Sequence, residues 1–204
     1  MKYLTDFGDS AVLLPLSAAV FIWLLVMRPA RSAAWWIGAL IFCGAVTVVL
    51  KILFFACPPA LDISSPSGHT SFSLLAYGGV AGIVAVERQS PWERTAIILS
   101  AIGLVASIGI SRVVLGMHSE PEIIIGFAIG AAALAIFGFG YLRLGGSGRT
   151  ITPLLIGVTL ILTVFHGSKL NPENKLHELG GWLDFRSLVC PVAEPLPRKV
   201  MAAR

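Results

Sequence analysis

The sequence predicts an all-α fold, a six-helix transmembrane bundle with a short polar C-terminal tail. Three observations carry that prediction. Hydrophobic residues make up 56% of the 204-residue chain and charged residues 13%, and the mean hydropathy is +0.84, a balance outside the range of water-soluble domains. The apolar residues fall into six runs, and crossing the hydrocarbon takes about 20 mostly apolar residues per helix. The arginines between those runs gather in alternate loops.

The first run covers 10–27. Asp6 and Asp9 precede it, Arg28 and Arg31 follow it, and no small-residue cleavage site closes it. It is therefore expected to be a retained helix and not a cleaved signal peptide. The second run, 33–55, holds Cys43, read as a small buried hydrophobe, and carries Lys51 near its end. The third, 70–86, begins directly after Pro66-Ser67-Gly68-His69, and the fourth, 95–115, ends in Ser111-Arg112. The fifth, 123–142, is rich in small residues. Its Gly126 and Gly130 form a small-xxx-small pair, read as plain helix packing. The sixth, 151–166, is with the third the shortest. From about Gly167 the composition turns polar, so residues 1–166 read as one membrane unit and 167–204 as an outer-side tail. One short amphipathic helix is expected in the tail around 173–186, lying on the membrane surface. His166 and His177 are assigned to this interface and tail.

Charge orients the bundle. Arg28, Arg31, Arg88, Arg94, Arg143 and Arg149 all fall in the loops on one side, and loops this short obey the positive-inside rule. That side is expected to be cytoplasmic, in a cell inner membrane, with both termini facing the periplasm or exterior. The same loop bias accounts for the net charge of +4, which needs no nucleic acid to explain it. Lys51, the Pro-Ser-Gly-His run, Arg112 and His118 all map to the outer side. Ionisable groups at a membrane edge are costly and mark function by default.

The residue types at that edge suit phosphoryl chemistry. Gly68 and its neighbours precede a helix, so their backbone N–H groups and the helix dipole face an anion together. Ser67 offers a hydroxyl, and also the simpler service of an N-cap. Arg112 presents a planar fork matched to phosphate oxygens. The imidazole of His118 is a nucleophile for phosphorus. Glu122, four residues on, is placed to fix its tautomer as the acid of a triad does. His69 is then available to protonate the leaving group and activate water. No cysteine pair has metal-site spacing and there is no acidic cluster, so neither a metal nor another cofactor is expected. Cys57 and Cys190 map to the outer side, where two thiols either stay reduced or pair in an oxidising compartment. A pairing would bring Lys175 or Arg186 over the site.

These motifs resemble the type 2 phosphatidic acid phosphatase family, related to the vanadium haloperoxidases. That family carries Lys-x6-Arg-Pro, Pro-Ser-Gly-His and Ser-Arg-x5-His-x3-Asp. The second block is intact at 66–69, and the third runs from Ser111 to Glu122 with glutamate in place of aspartate. The first is partial: Lys51, six residues, then Pro58-Pro59, with Pro58 where the family has arginine. The resemblance implies His118 as nucleophile, His69 as general acid, and Lys51, Ser67, Gly68 and Arg112 as phosphate ligands. Loss of one charge-assisted bond is worth about 1.5–3 kcal/mol, or about ten- to a hundredfold in rate.

The implied activity is metal-independent removal of phosphate from a lipid within the bilayer: an isoprenoid diphosphate, a phosphatidate-like lipid or a lipid A phosphate. Two alternatives stay open at this point. One is a membrane protein that keeps the cradle only to bind lipid phosphate, which the missing arginine favours. The other is phosphotransfer to an acceptor other than water.

Overall fold

A computed structural model of the chain describes residues 1–56, 65–144 and 150–170. Cys57, Pro58, Lys175, His177, Arg186 and Cys190 lie outside the described residues. The expected surface helix at 173–186 and the possible thiol pair fall there too.

Seven helices follow in order among the described residues: α1 (Lys2–Asp6), α2 (Ser10–Met27), α3 (Ala30–Ala56), α4 (Gly68–Val86), α5 (Pro91–Val114), α6 (Glu120–Arg143) and α7 (Thr152–Phe165). The six apolar runs are helices α2 to α7, so the fold is the predicted all-α bundle. Among the described residues five stretches are long and apolar enough to cross a membrane: Tyr3–Met27, Ala30–Phe54, Gly68–Val86, Pro91–Val114 and Glu120–Arg143. The chain is thus a multi-pass membrane protein. The sixth helix, α7, is apolar but has 14 residues, about 21 Å at 1.5 Å per residue, short of the roughly 30 Å hydrocarbon core.

Local chemistry sets the helix ends. Asp9 caps α2 by accepting the Ala11 N–H at 2.8 Å. Ser67 caps α4, its hydroxyl oxygen accepting from the Thr70 N–H at 3.4 Å and the Thr70 hydroxyl at 3.1 Å. Helix α5 ends in a Schellman turn. Gly116, at φ +66°, donates its N–H to Val113 O at 2.9 Å, and the Met117 N–H reaches Arg112 O at 3.0 Å. Only glycine holds that left-handed position without strain. The turn reverses the chain directly into His118.

Polarity is distributed in the manner of a membrane bundle. The interior holds Ser17, Thr47, Ser67, Thr70, Ser71, Ser73 and Ser111, all nearly inaccessible, while Ile98, Leu99, Ile102, Ile110 and Val114 of α5 stand exposed. Lipid, unlike water, exerts no pressure to hide those side chains, so association depends on close packing of small residues.

Helix α4 is the central element, packed on α6, α5, α3 and α2, with α1 against α5 and α7 against α2. Its mid-section seats Trp36, fully buried, whose indole N–H donates to Ser17 O at 3.0 Å. At one end of the bundle Arg28 pairs with Glu87, and its guanidinium lies 5.3 Å from the Trp23 ring and 5.7 Å from the Tyr141 ring. This pair ties the ends of α2 and α4 together, with Tyr141 of α6 alongside.

At the opposite end α6 meets α4 through glycine. A Cβ on Gly126 would lie 2.7 Å from Ser67 O, and one on Gly130 would lie 2.6 Å from Ser71 O. Both obstacles are backbone and cannot rotate aside. The Gly126/Gly130 pair is packing, as the sequence suggests, but packing that sets where α6 stands beside the Pro-Ser-Gly-His run. Replacing Gly126 with alanine is therefore expected to destabilise the protein by about 1–3 kcal/mol, the usual cost of overpacking. Gly138→Ala, where no atom lies within 4 Å of the added Cβ, is expected to be neutral or slightly stabilising by helix propensity. Thermal unfolding of both variants in the same detergent checks the contrast.

Candidate active site

The site assembles at the end of the bundle where α2, α4 and α6 begin and α3 and α5 finish. Every candidate catalytic or phosphate-binding residue sits at this end: Lys51 late in α3, Ser67, Gly68 and His69 at the start of α4, Arg112 late in α5, and His118 and Glu122 at the start of α6. All of them come from chain segments that the bundle topology forces together.

Glu122 is the hub. It stands in the first turn of α6 and is 3% exposed. Its Oε2 accepts from His118 Nδ1 at 2.7 Å and from the Ser119 N–H at 3.1 Å. Oε1 accepts from the Ser65 N–H at 2.8 Å. Its backbone carbonyl accepts the Ser67 N–H at 3.2 Å. With Glu122 ionised its carboxylate only accepts hydrogen bonds, and Nδ1 of His118 is then the protonated nitrogen of the ring. The helix dipole at the N-terminus of α6 adds to the stabilisation of this buried charge.

The reach back to Ser119 N–H is the acid half of a capping box, which favours glutamate at this position. The extra methylene relative to aspartate is thus in use. The longer arm spans His118, its own helix start and the Ser65 backbone together.

The residues expected to bind phosphate lie at the same end of the bundle. Ser67 is fully buried, and its oxygen takes two donors from Thr70, which leaves its own O–H as a donor to a third group. Capping and anion binding are compatible roles for the one hydroxyl. Gly68 lies beside Thr47 of α3: a Cβ there would be 3.8 Å from the Thr47 methyl. The Thr47 hydroxyl is 3.3 Å from the Ser71 hydroxyl, and Ser71 in turn donates to Gly68 O at 3.1 Å. Lys51 follows Thr47 by four residues, on the same helix face and one turn nearer the motif end, and is 5% exposed. Arg112, 7% exposed, has Nη1 at 3.5 Å from the Thr5 hydroxyl. Two cationic side chains are thus buried at the same end of an apolar bundle.

Three participants are absent from the sequence reading. Ser65 contributes a backbone N–H, which no side-chain pattern reveals. Thr5 and Asp9 come from the N-terminal segment, where the sequence shows only acids preceding an apolar run. Asp9 Oδ2 stands 4.0 Å from His69 Nε2, and Asp9 Oδ1 also accepts the Leu170 N–H at 3.0 Å. His166, placed at the interface from the sequence, packs against Phe7 with the rings tilted and their centroids 4.5 Å apart. Among the described residues no group of three or more His, Cys, Asp or Glu side chains is arranged to hold a metal ion.

With this geometry established, comparison with known proteins is direct. A match to the PAP2 superfamily spans residues 32–143, more than half of the chain and all of the motif positions. The chain belongs to the PAP2 superfamily. It is also similar to an uncharacterized 22.5 kDa protein in the cps region of Klebsiella pneumoniae, with 36% identity over 140 residues. That alignment covers 67% of this chain and 66% of the relative, so the chain spans just under two thirds of the relative's length. No solved structure matches the chain. In this PAP2 chain the third block closes on the second through the Glu122 carboxylate and carbonyl, which joins the superfamily's motifs into one unit.

Removing the carboxylate leaves the buried Ser65 and Ser119 N–H groups without their acceptor, at about 1–3 kcal/mol each. Glu122→Ala is therefore expected to lower stability by about 3 kcal/mol or more. Glu122→Asp, with its shorter arm, is expected to lose the Ser65 bond and fall between the two. Denaturation in detergent micelles ranks the three proteins, and an aspartate variant as stable as the parent would show that arm length is immaterial.

Proposed function

We propose that this PAP2 protein is a lipid phosphatase that hydrolyses a phosphomonoester or diphosphate of a membrane lipid through a phosphohistidine. The observation that carries the reading is the His118–Glu122 pair, bonded at 2.7 Å and anchored to the Pro-Ser-Gly-His turn by Ser65 and Ser67. A histidine so held has one nitrogen protonated and the other basic, the state needed for attack.

In the reaction Nε2 of His118 forms a bond to phosphorus as the bond from phosphorus to the lipid oxygen breaks. His69 gives its proton to that departing oxygen. In the second half His69 takes a proton from water, the hydroxide attacks phosphorus, and the P–N bond breaks to release phosphate and neutral His118. Glu122 stabilises the positive ring while the phosphohistidine exists. Lys51, Arg112, the Ser67 hydroxyl and the Gly68 backbone N–H hold the equatorial oxygens, whose charge grows in the transition state. These cations supply the neutralisation that a divalent ion gives in other phosphatases, so the reaction is assigned as metal-independent. Pro58 removes one expected cation, which weakens the cradle without touching the nucleophile.

The substrate is assigned as a lipid phosphate in the outer leaflet of a cell inner membrane, with the site facing the periplasm. The arginines of the alternate loops support that orientation.

His118→Ala is expected to abolish phosphate release while the protein remains folded in detergent. Phosphate release from the purified protein over a panel of isoprenoid diphosphates, phosphatidates and lipid A phosphates, with EDTA present, is the direct assay. Vanadate is expected to inhibit it, and retention of more than a few per cent of activity in the His118 variant would overturn the mechanism.

Orientation has its own test. In a background with Cys57 and Cys190 replaced by serine, a cysteine at the exposed Met117 position is expected to react with a membrane-impermeant thiol reagent in intact cells. One at Arg31, at the start of α3, is expected to be shielded. The reverse pattern would put the site in the cytoplasm.

A further inference from the structure

The N-terminal segment packs into the site end of the bundle at five points. Phe7 O accepts the Tyr77 hydroxyl at 2.7 Å. Gly8 is pressed against α4 and α5 so closely that a Cβ would sit 2.7 Å from an Ile108 methyl and 3.3 Å from the Ser73 hydroxyl. The Phe7 ring packs against His166 beyond α7. Thr5 meets Arg112, and Asp9 faces His69. Thr5, Asp6 and Asp9 are each 8% exposed. A loosely attached terminus would not bury two acids and a threonine beside a cationic site.

Asp9 is the most informative of these residues. Its two oxygens are divided. Oδ1 takes the Ala11 N–H at 2.8 Å and the Leu170 N–H at 3.0 Å. Oδ2 is turned to His69 Nε2 at 4.0 Å. N-capping needs only one oxygen, so the second is left to the histidine. The distance is longer than a hydrogen bond, and catalytic contacts often tighten only when substrate binds.

We propose that Asp9 is a positioning residue for His69, a second carboxylate–histidine pair opposite His118–Glu122. Glu122 holds the histidine that attacks, and Asp9 holds the histidine that moves protons. The assignment of a catalytic task to His69 rests on the hydrolytic reading above. The pairing itself does not. With Oδ1 bound to two backbone N–H groups, the carboxylate cannot swing away, so the attracted ring is held to one orientation as substrate arrives.

Asp9→Asn isolates this role. Asparagine caps helices as well as aspartate, so the Ala11 and Leu170 contacts keep an acceptor and only the charge facing His69 is lost. Two measurements are made on full-length protein in detergent. The first is the ¹⁵N NMR signals of the histidine rings, with His69 assigned through His69→Gln. The second is kcat/KM for an alkyl lipid phosphate and for p-nitrophenyl phosphate. That ratio reports steps up to phosphohistidine formation, and p-nitrophenolate departs without needing a proton.

The expected result is a shift of the His69 signals with those of His118 unmoved. Asp9→Asn is also expected to lose about ten- to a hundredfold on the alkyl substrate and no more than about threefold on the aryl one. His69→Gln is expected to show the same selectivity, and the double variant to add little. Asp9→Glu keeps the charge. Its ratio of alkyl to aryl rates is expected to stay near the parent's even if both rates fall, which covers the case in which Asp9→Asn does not fold. Unmoved His69 signals, or equal losses on both substrates, in a parent protein that releases phosphate would overturn the pairing and leave the hydrolytic reading standing. A parent inactive on every lipid phosphate, with His69 signals that still move in Asp9→Asn, would overturn hydrolysis and leave the pairing.

Discussion

The whole site depends on one buried carboxylate. Glu122 lies 3% exposed in an apolar bundle, where an uncompensated charge would be prohibitively expensive. It is tolerated because both oxygens are occupied by N–H donors from three places: the His118 ring, the start of its own helix, and the loop before α4. Each donor that stabilises the charge is thereby fixed by it. The capping bond sets α6, the ring bond sets the tautomer and orientation of His118, and the Ser65 bond sets the entry to α4. The electrostatic cost of burial and the geometric order of the site are therefore two sides of one arrangement.

That arrangement works only if α6 and α4 approach closely, and the membrane environment dictates how. Lipid is as apolar as leucine, so no hydrophobic force presses the helices together. Close contact comes from Gly126 and Gly130, which let α6 rest on the backbone of Ser67 and Ser71. The interior is then left to small hydroxyl residues, and these do double duty. Thr70 donates to Ser67 within α4, and Thr47 of α3 meets Ser71, which donates to Gly68 O, so α3, and with it Lys51, is held against the start of α4.

The fold was legible because membrane spans announce themselves by length and apolarity, and all six runs are helices within a few residues of their expected ends. The largest end shift is at α5, which begins at Pro91 and not at 95 because proline opens a helix readily. The sixth run, expected as a sixth transmembrane helix, is a helix of 14 residues, apolar but shorter than the other five. The candidate residues Lys51, Ser67, Gly68, His69, Arg112, His118 and Glu122 were legible because uncommon residue types stand at fixed spacings beside apolar runs. The Arg112-to-His118 spacing has a physical origin in the Schellman turn at Gly116. Asp9 and Thr5 were not legible. Their partners lie 60 and 107 residues away in sequence, and an acid before an apolar run has an adequate local reason as a helix cap. Ser65 acts through its backbone N–H, to which side-chain identity gives no clue.

Ser67 and His69 are two residues apart, yet they answer to different parts of the molecule. Ser67 donates its N–H to the Glu122 carbonyl and is thereby tied to α6, which begins just after His118. His69 faces Asp9, which is bound to α2 and to the chain beyond α7. The first turn of α4 is thus where two separately anchored halves meet. Phosphoryl transfer between a nucleophile and an opposed acid needs both held within fractions of an ångström. A helical turn joining the two anchors holds Ser67 and His69 in a fixed relation.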